Sequence, residues 1–130
     1  MLNGKKIIVS DNPDLKNSVV MFHLSSKKEP RTRTINVLEK VFQASMQVRM
    51  FGSSLASMSY IASGKFNVYF NVQLNTLDIL PGALLVEEAG GKVTDIKGKK
   101  IGYESTSVLA TNGKVHNQML NVLENRPVAY

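Results

Sequence analysis

Two short polar turns hold the residues whose types and spacing could do chemistry. The first, Gly52-Ser53-Ser54, offers two hydroxyls and the backbone N–H groups of a strand-to-helix junction. The second, Thr76-Leu77-Asp78, brings one carboxylate to the beginning of the apolar run Ile79–Val86. A carboxylate in that position can cap a helix, which is worth roughly 0.5–2 kcal/mol, or it can be held at the edge of a cleft as a metal ligand. Its position alone favours the cap.

The run after Asp78 predicts a buried helix that a glycine pair ends. Gly90-Gly91 can take positive φ and so close the C-terminus of the helix. Pro81 fits only in the first turn, where its missing N–H has no partner to lose, so we expect the helix to begin near Asp78. Glu87-Glu88 stands at the end that the helix macrodipole makes unfavourable for acids. One of these two acids could pair with Lys92, or both could be solvated.

The other reactive residue types give weaker candidates. The chain has no cysteine, which excludes thiolate nucleophiles, disulfides and cysteine zinc sites. Ser53 has no histidine and aspartate in a triad pattern, so a serine nucleophile is not expected. His23 lies in an apolar segment and is interpreted as a core or edge histidine rather than a base. His116 falls on the polar side of the last predicted helix and is interpreted as solvated.

Strand patterns alternate with helix patterns along the chain. Short apolar runs predict strands at Lys6–Ser10, Ser18–Leu24, Gln47–Phe51, Phe66–Phe70, Lys92–Ile96 and Ser107–Ala110. Helical spacing predicts one helix that Thr32 or Thr34 caps, one at Leu55–Ala62, the one that begins near Asp78, and one after Asn112-Gly113 that carries Val115, Met119, Val122 and Leu123. This alternation predicts an α/β fold, with a mixed β-sheet flanked by helices on both sides. In such sheets ligands bind where strands lead into helix N-termini, and both polar turns lie at such junctions.

The charge and hydropathy of the chain limit its partners. The formal net charge is +6, and basic residues cluster at Lys27-Lys28 with Arg31 and Arg33, and at Lys97–Lys100. A basic surface can attract phosphorylated small molecules or nucleic acid. No aromatic residue interleaves with either cluster, as base stacking would need, so we interpret the clusters as solvated loops and do not expect nucleic acid as a partner. No apolar run reaches the ~18–20 residues that span a bilayer, and no secretory signal is recognisable. We therefore expect no membrane partner and a cytoplasmic location.

Several segments of the chain match a known signature in order and spacing. They are Leu2-Asn3-Gly4-Lys5, Arg49–Ser54, Tyr60–Lys65, Leu77-Asp78, Gly82–Val86 and Glu88–Asp95. The chain resembles the C-terminal half of the inositol monophosphatase family of metal-dependent phosphomonoesterases, whose C-terminal signature has Trp-Asp, several small residues and then Glu-Ala-Gly-Gly. The resemblance covers nearly the whole chain. It implies the fold of the C-terminal half of that family's α/β layered sandwich.

The resemblance implies roles for individual residues. Asp78 occupies the position of a family aspartate that ligates a catalytic Mg²⁺. Gly52-Ser53-Ser54 resembles the turn that holds substrate hydroxyls. Asn71 stands where a family acid contacts the substrate ring, so it could hydrogen-bond the substrate without carrying a charge, and Leu77 replaces the signature tryptophan. Family members hydrolyse a phosphate ester with a water activated between Mg²⁺ ions.

The resemblance also implies that metal ligands are missing from this sequence. The family takes its other ligands from Gly-Glu-Glu and Asp-Pro-Ile-Asp-Gly-Thr segments in its N-terminal half, and neither string occurs here. Asp11 and Asp14 have the spacing of an aspartate pair but lie in a polar loop. We therefore expect residues 1–130 to be a single partial domain, truncated relative to the family. Residues 1–16 would be a remnant of the N-terminal half's hairpin and linker, and residues 17–130 the C-terminal α/β domain.

The expected function is that of the C-terminal portion of an inositol-monophosphatase-like, Mg²⁺-dependent phosphomonoesterase. Its substrate would be inositol 1-phosphate or a related sugar or polyol phosphate, and hydrolysis would need the N-terminal half, so that the isolated chain is expected to be inactive. The alternative is a non-catalytic protein- or nucleic-acid-binding module that retains the fold. Family members commonly form dimers, and an unpaired strand near Ile7–Val9 would promote contacts. We expect either a homo-oligomer or assembly with a complementary N-terminal half.

Overall fold

A five-stranded mixed sheet forms the centre of the described part of the chain. The computed structural model describes Gly4 and residues 6–124; the other residues of the Leu2-Asn3-Gly4-Lys5 segment lie outside the described part. The strands are β1 (Val19–Phe22), β2 (Gln47–Met50), β3 (Val68–Asn71), β4 (Lys92–Thr94) and β5 (Val108–Thr111), and the helices are α1 (Lys28–Ala44), α2 (Ser54–Ala62), α3 (Thr76–Glu88) and α4 (His116–Leu123).

The order of the strands creates a switch point for ligand binding. The order is β2-β1-β3-β5-β4; β2 and β3 pair parallel to β1, and β5 pairs antiparallel to both β3 and β4. From β1 the chain crosses through α1 to one neighbour, and from β2 it crosses back through α2 to the other. The loops that leave the carboxyl ends of β1 and β3 therefore diverge, which is where open α/β sheets bind ligands.

Helices cover both faces of the sheet, as the sequence predicts. On one face α2 and α3 pack through Met58, Ile61, Ile79 and Val86. On the other, α1 and α4 pack through Val37, Val41, Met119 and Leu123. Both sets of side chains are buried against the sheet, which gives the three-layer arrangement expected for alternating strands and helices.

Two predicted elements near the beginning of the chain are wrong. Lys6–Ser10 forms no strand; the N–H of Val9 instead donates to the carbonyl of Ala89 (3.1 Å), so this segment lies across the end of α3. The helix predicted to begin at Thr32 or Thr34 begins at Lys28. Both threonines lie inside it, where their hydroxyls donate to carbonyls four residues earlier (2.9 Å each) and so cannot cap it.

Helix α3 departs from its prediction at its beginning and on its outer side, but not at its end. It begins at Thr76, so Pro81 is in the second turn rather than the first. One face, Ile79, Gly82, Ala83 and Val86, is buried, but Leu77 is 77% and Leu84 61% exposed, so the helix is not buried all round. The predicted glycine cap is confirmed: Gly90 has φ 92°, its N–H donates to Glu87, and the N–H of Gly91 donates to Val86.

Candidate active site

A cleft of about 350 Å³ lies at the switch point, where the carboxyl ends of the parallel strands meet the N-termini of α2 and α3. It is lined by His23, Gly52, Ser53, Ser54, Leu55, Asn71, Leu74, Leu77, Asp78 and Pro81. The structure therefore brings together every residue predicted for the site: the metal-ligand candidate Asp78 and the substrate-binding candidates Gly52-Ser53-Ser54 and Asn71. These residues come from three separate segments of the sequence: the turn before α2, the end of β3 and the first turn of α3.

The Gly52-Ser53-Ser54 turn is built around the N-terminus of α2. Ser53 is the N-cap, and its hydroxyl accepts from the N–H of Ala56 (3.2 Å). That bond occupies one lone pair of the Ser53 hydroxyl. Ser54 is half-buried, and its Oγ lies 2.6 Å from the hydroxyl of Tyr69 on β3. The two serines of the turn thus have different partners, one in the helix cap and one in the sheet.

Asn71 ends β3 and is buried at the floor of the cleft. Its Oδ1 accepts from the N–H of Gln73 (3.1 Å) and its Nδ2 donates to the hydroxyl of Tyr69 (3.2 Å). Burial raises the pKa of Tyr69 above its ordinary value of 10.0, and its hydrogen bonds to Ser54 and Asn71 lower it by less. The predicted substrate contact of Asn71 thus competes with two bonds that the amide makes within the protein.

Asp78 is exposed in the first turn of α3 and faces the cleft. It is not the helix cap: the N-cap is Asn75, which makes no side-chain cap bond, and Asp78 is the third residue of the helix. A carboxylate there is stabilised by the positive end of the helix dipole. Of the two interpretations that the sequence left open, the N-cap is excluded by this geometry, and the carboxylate is free to face a ligand.

The donors of this chain alone do not fit the Mg²⁺ centre that the family resemblance implies. Asp78 is the one carboxylate among the residues that line the cleft. Within residues 6–124 and Gly4, no three or more histidine, cysteine, aspartate or glutamate side chains lie together as a metal site. The resemblance implies a water activated between Mg²⁺ ions, and a lone carboxylate cannot be expected to hold two such strongly hydrated ions in place.

The two histidines lie in different parts of the fold, and the sequence interpretation is wrong for His116. His23 follows β1 directly, is half-buried, and lines the cleft; the available signal was its position at the end of an apolar strand that leads into a loop. His116, interpreted as solvated, is 1% exposed. It lies away from the cleft residues, between the hydroxyls of Thr94 (2.8 Å) and Thr111 (2.9 Å).

A sequence profile described as "Inositol monophosphatase family" matches residues 1–127. The chain belongs to the inositol monophosphatase family. The resemblance drawn from the signature around Asp78 and Gly90-Gly91 is thereby confirmed.

Curated proteins of the inositol monophosphatase family align with most of this chain. The fructose-1,6-bisphosphatase/inositol-1-monophosphatase of Thermotoga maritima is 29% identical over 121 residues, covering 93% of this chain and 45% of that protein. Human inositol monophosphatase 1 is 28% identical over 116 residues, covering 87% and 42%. Nus factor SuhB of Salmonella typhimurium is 32% identical over 120 residues, covering 92% and 45%. The chain spans somewhat less than half the length of these relatives.

Solved structures of inositol monophosphatase family proteins confirm the α/β fold. An IMPase of Thermotoga maritima superposes with a TM-score of 0.84 at 28% identity, covering 93% of this chain and 46% of that one. The extragenic suppressor protein SuhB of Bartonella henselae superposes with a TM-score of 0.89 at 23% identity, covering 96% and 49%, and this second likeness supports the fold alone. Among the described residues, no helix is both long and apolar enough to cross a bilayer.

Proposed function

We propose that this chain is the C-terminal half of a Mg²⁺-dependent phosphomonoesterase that acts on inositol 1-phosphate or a related sugar or polyol phosphate. Hydrolysis would require an N-terminal half that this sequence does not contain, either joined to it or assembled with it. The observation that carries the proposal is the cleft itself, in which residues from three separate segments of the chain surround a single carboxylate, Asp78. A cytoplasmic location stays a prediction.

Each residue of the cleft would have its own role in the complete enzyme. Asp78 would supply one ligand to the magnesium of the complete enzyme, and that ion would supply Lewis-acid catalysis of phosphate ester hydrolysis. Gly52-Ser53-Ser54 would hold the organic part of the substrate through backbone N–H groups at the N-terminus of α2 and through the Ser54 hydroxyl. Asn71 would support the floor of the cleft.

An apolar surface beside the cleft supports assembly with a second half. Leu55 of α2 and Leu77, Leu80 and Leu84 of α3 are all exposed. Leu77, Leu80 and Leu84 follow helical spacing, so they form one stripe along α3 opposite its buried face. Exposed apolar stripes of this kind mark protein interfaces. The occupant we propose is the complementary half, because the relatives are more than twice as long as the stretch that matches; a second copy of this chain, as a homo-oligomer, is the competing occupant.

Phosphate release from inositol 1-phosphate with Mg²⁺ tests the function. The proteins are the 130-residue chain alone and a fusion in which the N-terminal half of the Thermotoga maritima relative precedes it. We expect activity only from the fusion, and we expect Asp78→Asn to abolish it while the matched control Asp11→Asn, an exposed acid outside the cleft, retains it. Strong activity from the chain alone would contradict the single-ligand argument. An inactive but folded fusion that binds no Mg²⁺ would contradict the function.

A second candidate function, binding of a polyanion such as RNA, is favoured by one observation that the sequence did not reveal. Tyr103 is 93% exposed and lines a shallow hollow with Lys99 and Lys100. The neighbouring hollow is lined by Arg33, Lys97 and Lys99. An exposed ring beside several cations is the combination that binds single strands, so the expectation that nucleic acid is not a partner has no support.

The salt dependence of RNA binding tests this second function. Binding through phosphate contacts weakens steeply as salt rises, and Tyr103→Ala should weaken it at every salt concentration because stacking does not depend on counterions. Lys100→Ala should reduce the salt slope, whereas Lys16→Ala, which removes an exposed lysine in a different part of the fold, should not. Absence of binding at low salt would exclude the nucleic-acid function.

A further inference from the structure

A series of hydrogen bonds leads from the end of β3 into the cleft. The backbone N–H of Gln73 donates to Oδ1 of Asn71 (3.1 Å), Nδ2 of Asn71 donates to Oη of Tyr69 (3.2 Å), and that oxygen lies 2.6 Å from Oγ of Ser54. Asn71 and Tyr69 are buried, whereas Ser54 is half-buried and lines the cleft. These three side chains are called the Asn71–Tyr69–Ser54 relay below.

The direction of each proton in the relay follows from its partners. A backbone N–H can only donate, so the side-chain atom of Asn71 that faces Gln73 is the oxygen, and the amide nitrogen faces Tyr69. That nitrogen can only donate, so the phenolic oxygen of Tyr69 accepts from it. The phenol's own proton needs an acceptor, because Tyr69 is fully buried, and Oγ of Ser54 is the atom at hydrogen-bond distance. Ser54 therefore accepts from Tyr69, and its own proton is available to a ligand in the cleft.

The ionisation of Tyr69 agrees with this geometry. Burial raises the pKa of the phenol, and this effect exceeds the lowering by its hydrogen bonds. Tyr69 therefore keeps its proton throughout the neutral range, and the bond to Ser54 keeps its direction.

We propose that Asn71 sets the polarity of the relay and, through Tyr69, makes Ser54 a hydrogen-bond donor to the ligand. The inference rests on the proposed function, because that function places a phosphorylated polyol in the cleft. The ligand atom that meets the Ser54 proton is then an acceptor oxygen, such as the oxygen of a substrate hydroxyl or a phosphoryl oxygen. Ser54 determines specificity by contact, and Asn71 and Tyr69 are positioning residues that act through it.

A carboxylate at position 71 reverses the relay. Asn71→Asp, while its carboxyl is ionised, replaces the amide nitrogen with an oxygen that cannot donate, so Tyr69 turns its proton to the carboxylate and accepts from Ser54. Ser54 then presents lone pairs to the cleft, which suit a ligand hydroxyl and not a phosphoryl oxygen. Every buried group in the reversed relay still has a partner, so the substitution avoids the cost of an unsatisfied polar group and the chain is expected to fold.

NMR spectroscopy of the 130-residue chain tests the direction of the relay. The hydroxyl proton of Tyr69 should show a nuclear Overhauser effect to the β protons of Ser54, and Asn71→Asp should remove that effect while the fold is retained. The control is Asn75→Asp, which makes the same change at the exposed N-cap of α3, outside the relay. Loss of the effect in the wild-type chain, or its persistence in Asn71→Asp, would overturn the proposed polarity.

Titration with inorganic phosphate, followed at the backbone amide of Ser54, tests recognition. Loss of one hydrogen bond to a charged ligand predicts that Ser54→Ala weakens binding about tenfold. Asn71→Asp should weaken it similarly, and Asn75→Asp less than about twofold. A double-mutant cycle separates the relay from simple charge repulsion: in a Tyr69→Phe background, Asn71→Asp should cost little, because its effect passes through the phenol.

The results that would contradict the relay differ from those that would contradict the proposed function. Equal losses from Asn71→Asp with and without the Tyr69 hydroxyl, or no phosphate-dependent shift at Ser54, would overturn the assignment of an acceptor ligand. These measurements require no hydrolysis and no second half. An inactive fusion protein would therefore contradict the proposed function but not the proposed polarity of the relay. A wrong relay polarity would likewise leave the result of the hydrolysis test unaffected.

Discussion

His116 is expected to make the stability of this protein depend steeply on pH. The hydroxyl of Thr94 donates to the carbonyl of Asp95 (2.7 Å), so it can only accept from Nε2 of His116 (2.8 Å). The hydroxyl of Thr111 accepts from the N–H of Gly113 (2.9 Å) and has its proton available for Nδ1 of His116 (2.9 Å). The network therefore fits a neutral imidazole that carries its proton on Nε2 and accepts at Nδ1.

The size of the effect follows from the pKa of that imidazole. Burial, and secondly the nearby charge of Lys92, lower the pKa of His116 from its ordinary value of 6.5 to about 4. The unfolded chain binds a proton below about pH 6.5 that the folded chain does not bind until about pH 4, so the free energy of unfolding falls as the pH is lowered through this window. At about 1.4 kcal/mol per pKa unit the full loss is about 3 kcal/mol, of which about 2 kcal/mol is lost by pH 5.

Urea denaturation between pH 7.5 and pH 5 measures this loss in a range where most carboxylates stay ionised. We expect His116→Gln to be less stable than wild type at pH 7.5 but to lose little further stability on acidification. The matched control is His23→Gln, which removes the other histidine of the chain and should keep the wild-type slope. Parallel pH profiles for wild type and His116→Gln, or a His116 that titrates near pH 6.5 by NMR in the folded chain, would refute the reasoning.

Three further predictions concern α3 and its surroundings. Gly91→Ala should lower the free energy of unfolding by about 1–3 kcal/mol in urea denaturation, because its Cβ would lie 2.5 Å from the carbonyl oxygen of Thr111. Pro81→Ala should raise the midpoint of thermal unfolding, because it restores an N–H that can donate to the carbonyl of Leu77. The expected gain in the free energy of unfolding is about 2 kcal/mol. Leu84→Glu should change stability by less than about 0.5 kcal/mol, since that side chain is exposed, yet it should abolish Mg²⁺-dependent hydrolysis when the two halves are supplied as separate chains.

The sequence predicts elements best where pattern and local chemistry agree. The Gly90-Gly91 pair predicts the end of α3 correctly, because only a positive φ at Gly90 closes the observed hydrogen bonds. The sequence predicts the beginnings of helices less well. Helix α1 begins at Lys28 without a side-chain cap, so no capping residue indicates its start. Lys6–Ser10 has the composition of a strand, but the N–H of Val9 donates to the carbonyl of Ala89 at the end of a distant helix.

The residues of the cleft were predictable from signature and position, but their partners were not. Spacing and the strand-to-helix rule bring Gly52-Ser53-Ser54 and Asp78 to one edge of the sheet, and the structure brings them to one cleft. The role of Tyr69 depends on the pairing of β3 inside the sheet, which no local pattern reveals. The helical pattern alone does not predict the burial of His116, because two separate strands supply the threonines that enclose it.

The sequence predicts a fully buried α3, but only one face of the helix is buried in the structure. Apolar residues surround the helix on all sides, which is the pattern of a helix packed between two layers, and the sheet of this chain supplies one layer only. The exposed stripe runs from Leu77 to Leu84, about 10 Å along the axis at 1.5 Å per residue, and Asp78 is the neighbour of its first residue. A partner that covers this stripe must therefore also stand at the mouth of the cleft. If that partner brings carboxylates there, one protein segment both covers the leucines and supplies the missing metal ligands. A substitution that prevents assembly would then also prevent catalysis.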